Sequence, residues 1–359
     1  MSTNCRRRVS SAVKHGGCTL LVFLTLLLPH AAFARDETWT AGGSRLQIHW
    51  QAEFSVDERA KIKQWLQHAA ECAATLYGEL PRDSIRILIE RSDDADEPVV
   101  YGRVLRQHPQ GIQFWINPDF SLQAFLQDWT AVHEFVHLYI PFPGNADIWL
   151  SEGLATYYQN ILRARTGVLS HEQAWQKLYN GFMRGKADNR YSALSLTELS
   201  PRLRETNSFM RIYWTGTAYF MEADIQLRQK TANQMSLDTV IRDYVDCCLA
   251  RGLSHGLELA QSFDRLSDSQ IFSTRYQRYR GLYQQPDTLP LFSQLGISVS
   301  DETIHLEPMP EDAIAIREAI VSGHTVTDPL SLTSEADVDR SDCSEPDPVQ
   351  QLAEKPAVC

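Results

Sequence analysis

Little in this sequence would hold it in a membrane. The longest apolar run, Cys18–Leu28, covers 11 residues, about half of the ~20 that a spanning helix needs, and no second run follows. Positive charge is also short: 34 Lys and Arg stand against 45 Asp and Glu, a formal net charge of -11. That argues against nucleic-acid and anionic-membrane partners, because both select basic faces. A preference for basic substrates is the functional reading of this balance, and the ordinary solubility of an exported protein is the plainer one. The 7 cysteines show none of the paired spacings of structural zinc sites or dithiol redox motifs. No internal repeat is visible.

The one apolar run has the setting of an export signal. Residues 1–34 carry Arg6, Arg7, Arg8 and Lys14, then the apolar core, then Ala32-Phe33-Ala34 before Arg35, the order of a cleavable signal. The protein is therefore expected to be exported, periplasmic or secreted, with no stable membrane span after cleavage; retention of the run as an anchor is the other reading, disfavoured by its length. Val9-Ser10-Ser11 continues Arg7-Arg8 poorly as a twin-arginine signal, so the general secretion route is expected. About 325 residues remain, enough for one large or two medium domains. Cys72, Cys247, Cys248, Cys343 and Cys359 survive, an odd number that leaves at least one thiol unpaired. One of Cys247 and Cys248 could pair with Cys72 while the other stays buried, and Cys343 with Cys359 could close the tail; buried free thiols are the plainer reading for at least two of the five.

What is present is concentrated between residues 122 and 162. Leu122, Phe125, Leu126, Trp129, Val132, Val136 and Ile140 recur at helical spacing and stop at Pro141 and Pro143, which predicts one helix over about 121–140. It carries His133-Glu134-Phe135-Val136-His137. Residues four apart share a helix face, so His133 and His137 can offer ring nitrogens to one metal ion, with Glu134 beside it as a proton acceptor. Such a pattern arises by accident in about one in fifty chains of this composition and length, so context decides. A catalytic zinc takes a third protein ligand. A second helix, predicted over about Asp147 to Arg165, runs back antiparallel after the Pro/Gly loop and brings Glu152 opposite the histidines.

These residues carry a family resemblance. His133-Glu134-x-x-His137, followed by Trp149-Leu150-Ser151-Glu152-Gly153-Leu154-Ala155-Thr156-Tyr157-Tyr158, is similar to the gluzincin peptidases, especially the glycyl aminopeptidase family and aminopeptidase N. Ile212-Tyr213-Trp214-Thr215-Gly216-Thr217-Ala218 resembles their tyrosine-x-lysine-glycine segment, with Thr215 in place of lysine. Ser236–Val240 and Phe272–Leu295 extend a weaker likeness, so that it covers roughly Thr130 to Gly296. The resemblance implies an α+β, thermolysin-like fold of two lobes, a small N-terminal α/β lobe and a mainly helical one. It further implies one Zn2+ per chain on His133, His137 and Glu152, Glu134 as general base, Tyr213 as oxyanion donor, and peptide or protein substrates. Two departures matter. Fourteen residues separate His137 from Glu152, fewer than in those families. Their aminopeptidases also hold the substrate's free amino group with a glutamate on a glycine-containing strand before the zinc helix, and Tyr101 to Asn117 has Gly102 and Gly111 but no acidic residue. Internal cleavage is therefore slightly favoured.

The expected organisation is a signal over 1–34, an N-terminal α/β lobe over 35–120, a zinc-binding helical lobe over 121–322 and a disordered acidic tail over 323–359. The first lobe is expected to hold strands Leu46–Trp50 and Ser84–Glu90, and a helix Val56–Leu80 started by Ser55-x-x-Glu58. It also holds a hairpin of Val99–Leu105 with Gly111–Ile116. Gly111–Ile116 is expected to be the edge strand that pairs with an extended substrate. Helices near Glu172–Arg184, Asn207–Thr231, Leu237–Ala250, Leu257–Ser262, Ser267–Arg280 and Glu311–Ser322 build the second lobe, with a short strand at Asp301–Leu306. Thr156, Asp128, Asp147 and Asp224 are candidates to orient a ligand histidine, although packing is the stronger reading of Thr156. His108, His171 and His255 read as surface residues. The reading from another class is a non-catalytic peptide-binding or assembly factor on the same scaffold, which would have no need of Glu134. No pattern fixes an oligomeric state.

Overall fold

Alternating burial builds the first sheet. The computed structural model describes residues 36–106, 110–308 and 310–323; the expected signal, the tail beyond 323, His108, Cys343 and Cys359 lie outside the described residues. β1 (Glu37–Ala41), not foreseen in the sequence, is followed by β2 (Ser44–Trp50), α1 (Val56–Ala74), β3 (Ser84–Arg91), β4 (Val99–Leu105) and β5 (Gly111–Ile116). Leu46, Ile48 and Trp50 of β2 and Ile85, Ile87 and Ile89 of β3 all point into the core, as period-two strands with one covered face do. The sheet order is β1-β2-β3-β5-β4, with β2, β3 and β5 parallel and β4 antiparallel to β5.

That order corrects one expectation. β5 lies between β3 and β4, so the edge strand on this side of the sheet is β4. The physical reason is burial: five of the six residues of β5 are buried, as suits a strand paired on both sides.

Helix α1 starts where its capping signal stands. Ser55 N–H donates to Glu58 Oε2 at 2.7 Å and Glu58 N–H donates to Ser55 Oγ at 3.2 Å, satisfying two otherwise orphaned donors. Trp65 of α1 meets Phe114 of β5 at 5.2 Å and Phe125 at 5.3 Å between centroids, which ties helix, sheet and the following segment together.

The helix expected over 121–140 is broken. It consists of α2 (Leu122–Gln127), α3 (Thr130–Val136) and a 3-10 turn at His137–Tyr139. Asp128 is extended, with φ -71° and ψ 140°, and its Oδ1 accepts from Thr130 N–H at 2.7 Å. An aspartate that captures a nearby backbone N–H favours a cap over a helix interior.

The rest is mainly helical: α4 (Ile148–Arg165), α5 (His171–Ala187), single turns α6 (Leu196–Leu199) and α7 (Leu203–Thr206), α8 (Phe209–Lys230), α9 (Leu237–Cys247), α10 (Gly256–Leu266), α11 (Ile271–Arg280) and α12 (Leu289–Gln294), then the hairpin β6 (Ile297–Ser300) with β7 (Thr303–Leu306), and α13 (Glu311–Ser322). Helix α4 is buried from Trp149 to Ala164 on all its faces, so it is the core of this part. Two of its polar side chains are paired with acids of later helices, which offsets part of the cost of burial: Tyr157 Oη donates to Asp224 at 2.9 Å and Arg165 binds Asp238 at 2.8 Å. The fold is thus mixed α+β, with a small N-terminal sheet and a mostly helical remainder. Among the described residues no helix is long and apolar enough to cross a membrane.

The pairing of Cys72 with Cys247 or Cys248 is not found, whereas a buried free thiol is. Cys247 and Cys248 are bonded to each other, while Cys72 is a free, buried thiol on α1, with Thr166 Oγ1 3.5 Å from its sulfur. Burial pushes that thiol up to about 11, so it stays protonated and inert.

Candidate metal centre

Three side chains converge between α3 and α4. His133, at the C-terminal half of α3, His137, in the turn that follows, and Glu152, in the first part of α4, place one ligand atom each within 4.8 Å of one another. His133 Nε2 lies 3.3 Å and His137 Nε2 3.5 Å from the same oxygen, Glu152 Oε2. All three are at least nine-tenths buried. Two imidazoles and one carboxylate form the three-ligand set that suits a catalytic zinc with one open position, and no other group of three or more such ligands comes together among the described residues.

The far sides of the rings fix their orientation. His133 Nδ1 is 2.8 Å from Gln159 Oε1, an atom that can only accept, so Nδ1 carries the proton and Nε2 keeps its lone pair for the cluster. His137 Nδ1 is 3.0 Å from Ser151 Oγ. Partners of this kind tune a metal site. Thr156, Asp128, Asp147 and Asp224 do not fill this role. Thr156 Oγ1 is buried without a partner. Asp128 accepts from Thr130 N–H, Asp147 accepts from Tyr276 and from Gly256 N–H, and Asp224 accepts from Tyr157, Arg228 and Leu237 N–H. His171 pairs with Glu318, and His255 accepts at the start of α10.

Glu134 and Tyr213 sit on the same cavity. Its volume is about 310 Å³, and its wall includes His133, Glu134, His137, Glu152 and Tyr213 with Tyr101 and Gly102 of β4. The backbone of β4 presses on Glu134: a Cβ at Gly102 would come 2.7 Å from Glu134 Cγ and 2.9 Å from Thr130 Cγ2. Glycine alone allows that approach. The Tyr213 ring stacks near His133, 6.0 Å between centroids and 17° between planes. Its place follows from a helix crossing, since α8 meets α4 at two glycines. A Cβ at Gly153 would stand 2.3 Å from the Gly216 carbonyl carbon, and one at Gly216 would stand 2.0 Å from Trp149 O.

The charges are strongly coupled. Burial alone would raise Glu152, but His137 and then His133 outweigh it and hold its carboxyl far below the usual range. Burial opposes protonation of His133, yet the Glu152 hydrogen bond and the Glu134 charge keep it above its ordinary value. Burial raises Glu134, with His137 and His133 pulling back. Burial and then the Glu152 and Glu134 charges push Tyr213 well up, so its phenol remains a donor. Tyr101 is pushed up to about 12 by burial and then by Glu134.

A second cavity of about 310 Å³ adjoins the first. The two share Trp129 and Tyr213, and Asp96, Glu97 and Asp128 line the second.

No protein-family model matches the chain, and no curated protein matches it. Among solved structures, an aminopeptidase N family protein from Idiomarina loihiensis is similar over 74% of this chain and 50% of its own, at 16% identity and a TM-score of 0.51. An M1 zinc metallopeptidase from Deinococcus radiodurans matches over 71% of this chain and 52% of its own, at 14% identity and a TM-score of 0.42. The chain thus spans about half the length of each. Over the part that aligns, this chain has the fold of an aminopeptidase N family protein.

Proposed function

We propose that the chain is an exported, zinc-dependent metallopeptidase that hydrolyses peptide bonds, with His133, His137 and Glu152 as metal ligands, Glu134 as general base and Tyr213 as oxyanion donor. The observation that carries this reading is the convergence of His133, His137 and Glu152 with a fourth buried group, Glu134, on the cavity side and outside the ligand cluster. When bound there, zinc would supply a Lewis acid that activates water and polarises the scissile carbonyl.

The chain's own residues do the rest. Burial raises Glu134 above an ordinary carboxylate, which brings its proton affinity toward that of a base able to take a proton from water and pass it to the leaving amine. Tyr213, kept protonated, donates to the oxygen on which negative charge develops, a contribution of about 3 kcal/mol by the usual magnitude for one such donor. The substrate backbone pairs with the free edge of β4, which leads directly over Glu134 at Gly102. Gln159 and Ser151 hold the histidine rings.

The test is a peptide-library digest by zinc-loaded protein beside its Glu134→Gln variant. The variant is expected to keep the metal and lose several orders of magnitude in turnover, because an amide can neither accept nor deliver the proton. Loss of metal would make Glu134 a ligand. Peptide binding without cleavage by either protein would return the reading to a binding factor.

A further inference from the structure

The cavity over the candidate metal centre has a charge opposite to that of the chain. Its wall carries Arg103, Arg106 and Arg204, and among the described residues its only acidic side chains are Glu134 and Glu152. A divalent cation on the three ligands would offset both carboxylates and leave three guanidiniums facing the substrate. Arg106 is held in place by stacking, its Cζ 4.0 Å from the Phe142 ring centroid. Stacking fixes the plane of a guanidinium and leaves its N–H edge free for a carboxylate. Arg103 already donates to Gln113 Oε1, at 3.1 Å from Nε and 2.8 Å from Nη2. Glu205, adjacent to Arg204, pairs with Arg202 at 2.7 Å instead, and neither Arg106 nor Arg204 has an ion-pair partner among the described residues.

Position adds to charge. Arg106 follows Leu105, the last residue of β4, so a group held there lies at the end of a backbone paired along that edge. We propose that Arg106, with Arg204, selects a carboxylate on the substrate, so that the enzyme prefers peptides with an acidic group close to the bond it cuts. The inference rests on the peptidase reading. The carboxylate has two sources, an Asp or Glu side chain or the C-terminus of the peptide. A planar fork recognises either bidentately.

The experiment uses matched peptides that differ by Glu against Gln at each position flanking the cut, each made as C-terminal acid and as amide. With zinc-loaded protein, kcat/KM is expected to be at least about tenfold higher for the carboxylate, or about 1.4 kcal/mol. Arg106→Gln is expected to bring the ratio close to one, with Arg204→Gln lowering it part of the way. Both peptides are measured on one sample, so a partly folded variant does not distort the ratio. An advantage that follows the free C-terminus and not the Glu side chain assigns the source. A ratio near one for both sources in the unsubstituted protein overturns the inference. If no peptide is cut, the peptidase reading fails by itself, and binding still decides. Zinc-loaded Glu134→Gln protein should bind a fluorescent acidic peptide at least about tenfold tighter than its amide counterpart, a difference lost when Arg106→Gln is added. Equal binding of the two peptides would also overturn it.

Discussion

Each ligand histidine has one ring nitrogen turned away from the cluster, and the partners found there set the quality of the site. His133 depends on Gln159 and His137 on Ser151. Gln159→Leu keeps the volume and removes the acceptor, so His133 should lose its fixed tautomer and the apparent zinc affinity should fall by about 10 to 100-fold. Competition with a calibrated chelator measures this, with His137→Ala as the reference for near-complete loss; unchanged affinity would reduce Gln159 to packing. The convergence of His133, His137 and Glu152 was legible, because the helical spacing puts the two histidines on one face and the short Pro/Gly loop turns the next helix back toward them. The partners were not, because several polar residues share the inner face of α4 and only side-chain reach separates them. Thr156 is one turn from Glu152 and too short, while Gln159 is two turns away and long enough.

At the level of elements, the strand beside Glu134 was misread in the sequence and the helices were largely read correctly. The apolar stretch Gly111–Ile116 has the near-continuous burial of an interior strand, whereas Val99–Leu105 mixes Tyr101, Gly102 and Arg103 into its pattern, as an edge would. That signal was present. The break at Asp128 was harder to see, since the apolar spacing runs through it unchanged and only the aspartate's capture of Thr130 N–H interrupts the helix. The corrected edge makes Gly102 a contact residue of the proposed base. Gly102→Ala must shift Glu134 or the strand, because the new methyl would stand 2.7 Å from Glu134 Cγ. The metal content should stay the same while kcat/KM drops on the order of a hundredfold, the scale of a 1 Å misplacement of a reacting group. Full activity in that variant would mean that Glu134 has another position from which to work.

For the whole molecule, the open question is which end of a substrate enters the cavity. Among the described residues no acidic side chain other than Glu134 and Glu152 lines it, so a free α-amino group would be desolvated there without a dedicated counter-charge from them. N-acetylated peptides are therefore expected to be cut as well as their free counterparts, at internal bonds. A preference above roughly a hundredfold for the free amine, about 2.7 kcal/mol, would instead point to Asp96 or Glu97 in the adjoining cavity as an amine anchor. The net acidity of the chain gave no hint of the arginines in the cavity, because a total charge carries no positions. A strand-containing N-terminal part followed by a mainly helical one could be read from the order of the patterns, and the pairing of the cysteines could not, because sequence does not say which sulfurs meet.

An open strand edge that accepts a substrate backbone will also accept another copy of itself. β4 is an open edge, and the features proposed above to serve substrate binding would also keep it from self-association. Arg103 lies on it, Arg106 follows it, and its register shifts between Val99 and Tyr101. Positive charge and a bulge are two of the ways in which natural edges avoid joining. Two copies meeting along β4 would bring guanidinium against guanidinium, a repulsion that salt screens over about 10 Å at 0.1 M. Neutralising those arginines should therefore do more than relax selectivity: it would remove part of the barrier to aggregation, most visibly at high ionic strength and high protein concentration.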